Sequence, residues 1–130
     1  MKNAAFTICA KNYLAQAITL KKSFEQHNPE CDFFIYLADE IADGIDEADV
    51  RELDVSWIPA WKEMAFKYDV VEFNTAIKPF CINHLFNQGY DKVAYLDPDT
   101  YVKDSFQYIW DVLDRKSILL TPHYFSVKEC

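Results

Sequence analysis

The stretch that decides the fold is Gly89-Tyr90-Asp91-Lys92-Val93-Ala94-Tyr95-Leu96-Asp97-Pro98-Asp99. Residues 92–96 (KVAYL) form a short apolar run bounded by Gly89 and Pro98, the pattern of a buried strand. Two carboxylates follow it at once, so both sit at the strand's carboxyl end. Two carboxylates about 5 Å apart repel by roughly 3 kcal/mol at an effective dielectric of 20. A cation beside them offsets that repulsion, and hard carboxylate oxygens suit Mg²⁺ or Mn²⁺. Pro98 fixes one backbone angle and keeps Asp97 extended, so the pair is partly preorganised. The competing reading is a plain turn, because Asp and Pro are ordinary turn residues.

Upstream, residues 68–88 carry a helical pattern interrupted by Pro79. Ile77, Phe80, Cys81 and His84 share one face. Pro79 removes one helical hydrogen bond, which predicts a kink or a new helix start there. Gly89 is a natural C-cap. Downstream, Phe106, Ile109, Trp110 and Leu113 fall on one helical face, with Ser105 or Asp104 as cap. Residues 117–121 (SILLT) read as a final strand.

At the other end, residues 4–10 read as a short buried strand. Tyr13, Ala17, Leu20 and Phe24 recur at steps of four and three, which predicts a helix over 13–27. Asn28-Pro29 stops it. Residues 32–38 (DFFIYLA) form a second strand, 39–44 an acidic turn and 55–58 a third, short strand. This alternation predicts an α/β fold with a mostly parallel sheet flanked by helices. Ligands in such folds bind outside the carboxyl ends of the strands. That rule selects residues 10–13, 39–43 and 97–99.

The 130 residues predict a single domain, with a radius of gyration of about 14 Å. With 51% hydrophobic residues and only 2 Gly, the chain is neither a disordered tail nor a flexible linker. Acids outnumber bases 21 to 13, a net charge of −8. That charge excludes a phosphate-backbone stripe and hence nucleic acid as a partner. A divalent metal is the more natural counter-charge. No run is long enough for a membrane span or a signal peptide. The four cysteines are widely and irregularly spaced, with no CxxC pair. A zinc site or disulfide framework is not expected, and a reduced cytoplasmic setting is the default.

The stretch from Gly89 to Asp99 resembles the "YDKVxYLDxD" signature of nucleotide-sugar glycosyltransferases of the GT-A fold, most closely the family-8-like members. Asn74-Thr75-Ala76-Ile77-Lys78-Pro79-Phe80 and Ile118-Leu119-Leu120-Thr121-Pro122-His123 resemble the blocks that flank it. Phe6-Thr7-Ile8-Cys9-Ala10-Lys11-Asn12-Tyr13 resembles the first strand and its nucleotide-contacting loop. The resemblance implies a Rossmann-like GT-A fold binding a nucleotide-diphosphate sugar, a UDP-sugar first of all. The glycosyl group would pass to a glycan, lipid or protein acceptor.

By that resemblance Asp97 and Asp99 hold Mn²⁺ or Mg²⁺, and Asp97 also reaches the ribose or sugar. Ala10, Lys11, Asn12 and Tyr13 match the loop around base and ribose. Lys78 matches a basic position facing the donor, and Asp39 is a further nucleotide candidate. Bland roles compete for several of these residues. Asn12 fits as a helix cap, Tyr13 lies on an apolar stripe, and Lys78 and Asp39 fit as solvated charges. His123 does not match the family's third metal ligand, which lies farther downstream.

Relatives continue into a second half carrying the acceptor site. The resemblance therefore implies that these residues correspond to an N-terminal, donor-binding half, with activity slow or lost. Two rivals remain. One is a non-catalytic sugar-nucleotide binder or oligomerising subunit, a possible homo-oligomer. The other is a haloacid-dehalogenase-type phosphatase, with Asp97 and Asp99 as nucleophile and acid and residues 118–121 as second motif. Against the phosphatase, Tyr101 stands where that family prefers Thr or Val, and its later motifs have no room. Two glycines leave no Gly-rich phosphate loop.

Overall fold

The computed structural model describes residues 2–37, 50–52 and 70–120. Strands β1 (Asn3–Cys9), β2 (Asp32–Leu37), β3 (Val50–Glu52) and β4 (Lys92–Tyr95) form one sheet in the order β3-β2-β1-β4. Every pairing is parallel. A single 3-10 turn (Lys11–Tyr13) leads into helix α1 (Leu14–His27). Helix α2 (Val70–Asn87) precedes β4 and helix α3 (Gln107–Leu113) follows it. The protein is thus α/β with an all-parallel sheet, as the alternation predicts.

Strand periodicity divides the core in two. Successive side chains point to opposite faces. Ala5 and Cys9 of β1, with Phe33, Ile35 and Leu37 of β2, pack against Ala17, Leu20 and Phe24 of α1 and Trp110 of α3. Ala4, Phe6, Ile8 and Tyr36 face the other way, onto Ile77, Cys81 and Leu85 of α2. Every one of these side chains is buried. The parallel sheet is covered on both faces, as a parallel sheet requires. This is why β1 reads as a continuous apolar run rather than an alternating one.

Helix α2 runs through Pro79 without a new start. Proline forfeits only one helical hydrogen bond. The burial of Ile77, Cys81 and Leu85 on both sides of it holds the helix on the sheet. The helix ends in a Schellman turn: Gly89 N–H donates to Phe86 O at 3.0 Å and Tyr90 N–H to Leu85 O at 3.3 Å. Gly89 has a φ of 98°, and nothing lies within 4 Å of where a Cβ would stand. Gly89→Ala therefore costs backbone strain alone. The expected loss is about 1 kcal/mol of unfolding free energy, read from urea midpoints.

Three expectations need correction or limits. Residues 117–120 form no strand; Ile118, Leu119 and Leu120 are 74%, 45% and 81% exposed. An apolar run has strand propensity, but a strand needs a neighbour, and among the described residues β4 pairs only with β1. Tyr13 is not on the buried stripe of α1; it closes the 3-10 turn and is 47% exposed. The short strand expected at 55–58 lies outside the described residues, as does Asp39. The described third strand is Val50–Glu52.

Burial pushes the Cys81 thiol up to about 12 from its ordinary 9.0. It pushes the Tyr36 phenol up to about 12 from 10.0. Between those values the folded chain keeps protons that the unfolded chain has lost. The stability they support is complete below about pH 9 and declines as pH rises toward about 12. Urea midpoints are therefore expected to fall between about pH 8 and about pH 11. An unchanged midpoint would mean that both groups titrate as if in water.

Candidate functional site

The order β3-β2-β1-β4 contains one reversal. From β1 the sheet grows outward through β2 to β3, then resumes with β4 on the other side of β1. Crevices for ligands form at such a switch point, beyond the carboxyl ends of the strands. Here the switch lies between β1 and β4. The loop 10–13 leaves β1 there, and Asp97-Pro98-Asp99 leaves β4 there. The strands are in register up to Phe6 opposite Tyr95, and Leu96 N–H donates to Phe6 O at 3.0 Å.

The aspartate pair forms a closed turn. Thr100 N–H donates to Asp97 O at 3.1 Å, and the Thr100 hydroxyl donates to the same oxygen at 2.6 Å. Both aspartates are exposed. Tyr95 ends β4, two residues before Asp97. Burial raises its phenol first; the Asp97 charge and a side-chain hydrogen bond to Asp97 raise it further. The Lys78 ammonium sits over the Tyr95 ring, 4.0 Å from its centroid. Tyr95 therefore links two of the residues singled out from sequence, Lys78 on α2 and Asp97 on the turn.

Ala10, Lys11, Asn12 and Tyr13 all lie in the turn that follows β1. Tyr13 N–H donates to Ala10 O at 3.0 Å, which tightens it. Lys11, Asn12 and Tyr13 are exposed. Asn12 is not the cap of α1: it sits inside the 3-10 turn, and Tyr13 is the residue flanking the helix. Exposure removes the packing role that competed for Tyr13 and leaves its ring accessible.

Two residues behind the turn escaped the sequence reading. Ser23 Oγ donates to Leu20 O at 2.8 Å and accepts from Val102 N–H at 3.0 Å. Asn28 Nδ2 donates to Phe24 O at 3.2 Å, and its Oδ1 accepts from Phe106 N–H at 2.7 Å. Ser23 is 2% exposed and Asn28 fully buried. They bind the segment after Asp99 to the inner face of α1. The signal for Ser23 was a polar residue three positions after Leu20 on the apolar stripe. Neither expected cap, Ser105 or Asp104, is the N-cap of α3: that position is Phe106, without a side-chain cap, while Ser105 Oγ accepts from Gln107 N–H at 3.1 Å and Asp104 Oδ1 accepts from Ser105 N–H at 2.7 Å just ahead of it.

A cavity of about 310 Å³ opens beside the aspartate turn, lined by Leu96, Thr100, Tyr101, Phe106 and Ile109 among others. A larger one, about 440 Å³, lies at the opposite end of the sheet, around Lys21, Cys31, Asp32 and Phe33. There β3 begins only at the level of Ile35, so the earlier edge of β2 is uncovered among the described residues. Lys21 Nζ already satisfies the Phe33 carbonyl on that side at 3.1 Å. This notch follows from strand length and is far from the switch point.

Among the described residues, no three His, Cys, Asp or Glu side chains gather as a metal cage. Two exposed carboxylates on one turn still fit Mg²⁺ or Mn²⁺. Such ions bind through one or two carboxylates, with water and substrate phosphates completing the shell. Among the described residues, no helix is long and apolar enough to cross a membrane.

No family model and no curated protein matches the chain. Among solved structures, the chain is similar to the galactosyltransferase LgtC, crystallised in complex with donor and acceptor sugar analogs. The TM-score is 0.45 and the sequence identity 25%, over 83% of this chain and 42% of that one. The chain thus spans less than half the length of that protein.

Proposed function

We propose that this chain binds a nucleotide-diphosphate sugar and serves glycosyl transfer from it. UDP-sugars are the first candidates. Asp97 and Asp99 hold Mn²⁺ or Mg²⁺, and that ion, when bound, supplies positive charge for the departing nucleoside diphosphate. Lys11, Asn12 and Tyr13, with Ala10, frame the base and ribose. Lys78 places its cation toward the donor's sugar or phosphates, and Asp39 is assigned a nucleotide contact. The acceptor is a glycan, lipid or protein. A cytoplasmic location belongs to the same reading.

One observation carries this proposal. Residues 10–13 and 97–99, both selected from sequence as strand ends, leave neighbouring strands at the reversal of the sheet. Calorimetric titration of the whole chain with UDP and UDP-sugars, with and without Mn²⁺, tests it. Binding is expected with the metal and absent or much weaker without it. Equal heats in both conditions would end the proposal.

The exposure of Tyr108 (76%), Ile118 (74%) and Leu120 (81%) favours a second property, self-association. Sedimentation equilibrium decides it: a dimer supports an oligomerising role, and a monomer at high concentration removes it. A phosphatase assay with p-nitrophenyl phosphate separates the phosphatase reading from this one: clear Asp97-dependent turnover would sink the transferase reading.

A further inference from the structure

The aspartate turn is tied on three sides. Leu96 N–H joins it to β1, and Thr100 closes it on itself. Ser23, reaching from α1, holds the chain that leaves it. Val102 is three residues beyond Asp99, a reach of at most about 11 Å. Helix α1 also carries, one turn before its start, the loop 10–13. One rigid element therefore touches both parts of the proposed site: its leading end continues from the nucleotide loop, and its inner face grips the metal turn from behind.

We propose that Ser23 is a positioning residue for this site. Through Val102 it fixes the Asp97–Asp99 turn relative to the loop at the head of α1, with Asn28 and Phe106 as a second tie. This inference rests on the function proposed above. Ser23 contacts no ligand; its hydroxyl acts on the backbone that carries the carboxylates. Coupling between the clamp and ligand binding is reciprocal. If the clamp favours the bound state, the bound state must also tighten the clamp.

Two measurements on the whole chain test this. The first is Mn²⁺ affinity by electron paramagnetic resonance, in wild type, Ser23→Ala and Ser23→Thr. Ser23→Ala is expected to weaken Mn²⁺ binding by about fivefold, below the usual range of about 10–100-fold for residues that contact a ligating side chain directly. Ser23→Thr, which keeps the hydroxyl, restores it. A purely structural role would lower the melting temperature of Ser23→Ala but leave the affinity of its folded fraction unchanged, and that result overturns the inference.

The second measurement needs no variant. Hydrogen exchange at the Val102 and Phe106 amides is followed in wild type with and without Mg²⁺ and UDP. Slower exchange on binding supports the clamp, and unchanged exchange in a chain that does bind overturns it. A wild-type chain that binds neither metal nor UDP fails at the earlier proposal, so the two failures are distinguishable.

Discussion

Asp99→Asn is expected to abolish metal-dependent UDP binding, raising Kd more than a hundredfold. The substitution keeps size and shape and replaces an anionic oxygen donor with a neutral amide. Each unit charge about 5 Å from a cation contributes roughly 3 kcal/mol at an effective dielectric of 20, and every 1.4 kcal/mol is about tenfold in Kd. Mg²⁺ and Mn²⁺ both favour charged oxygen ligands, so the choice of ion does not rescue the variant. Asp99 is exposed. The thermal transition is therefore expected to stay within about 2 °C of wild type, because exposed substitutions cost little. Asp97→Asn acts in the same direction. Calorimetry in Mn²⁺ reads the effect, and wild-type affinity in both variants would remove the aspartate turn from the site.

Phe24→Ala is expected to cost about 3–5 kcal/mol of unfolding free energy. The ring is fully buried. It meets Phe33 of β2 at 5.2 Å and Phe106 at 5.1 Å between centroids. Its removal opens a cavity where α1, the sheet and the approach to α3 converge. Domains of this kind have only about 5–15 kcal/mol in total, so the variant is expected to be marginal at 25 °C. Phe24→Leu, which refills most of the volume, is expected to lose less than half as much. Urea unfolding read by far-UV circular dichroism distinguishes them. A loss below about 1 kcal/mol in Phe24→Ala would mean that this face of the sheet is held together elsewhere.

The fold was legible because its signals are local. The KVAYL run, the Tyr13-to-Phe24 spacing and Gly89 each act within a few residues, and all three regions formed the expected type of element. The limits of local reading show at particular residues. Tyr13 obeys the apolar spacing but falls in a 3-10 turn, where three residues per turn carry it off the stripe. Residues 117–120 have the composition of a strand and, among the described residues, no strand to pair with. Pro79 carries a helix-breaking signal that the packing of α2 on the sheet outweighs. For the site, the strand-end rule found the two segments, because topology places strand ends without reference to side chains. It missed Ser23, Asn28 and the linking role of Tyr95. Their partners lie 79 and 78 residues away for the two hydrogen bonds, and no periodicity encodes a contact at that distance.

Strand β1 is unequal on its two sides. One face presents Ala5, Thr7 and Cys9, and the other Ala4, Phe6 and Ile8. The small face receives α1 and the bulkier face receives α2. A point substitution changes one contact, but loss or gain of a single residue inside the strand turns everything beyond that point to the opposite face. Phe6 and Ile8 would then meet α1, where alanine-sized groups now fit, and the α2 side would be left hollow. Both cores fail together from one deleted codon. Descendants of this sequence can therefore vary freely in length only outside the strands, and β1 itself is expected to keep its residue count through divergence that replaces most of its side chains.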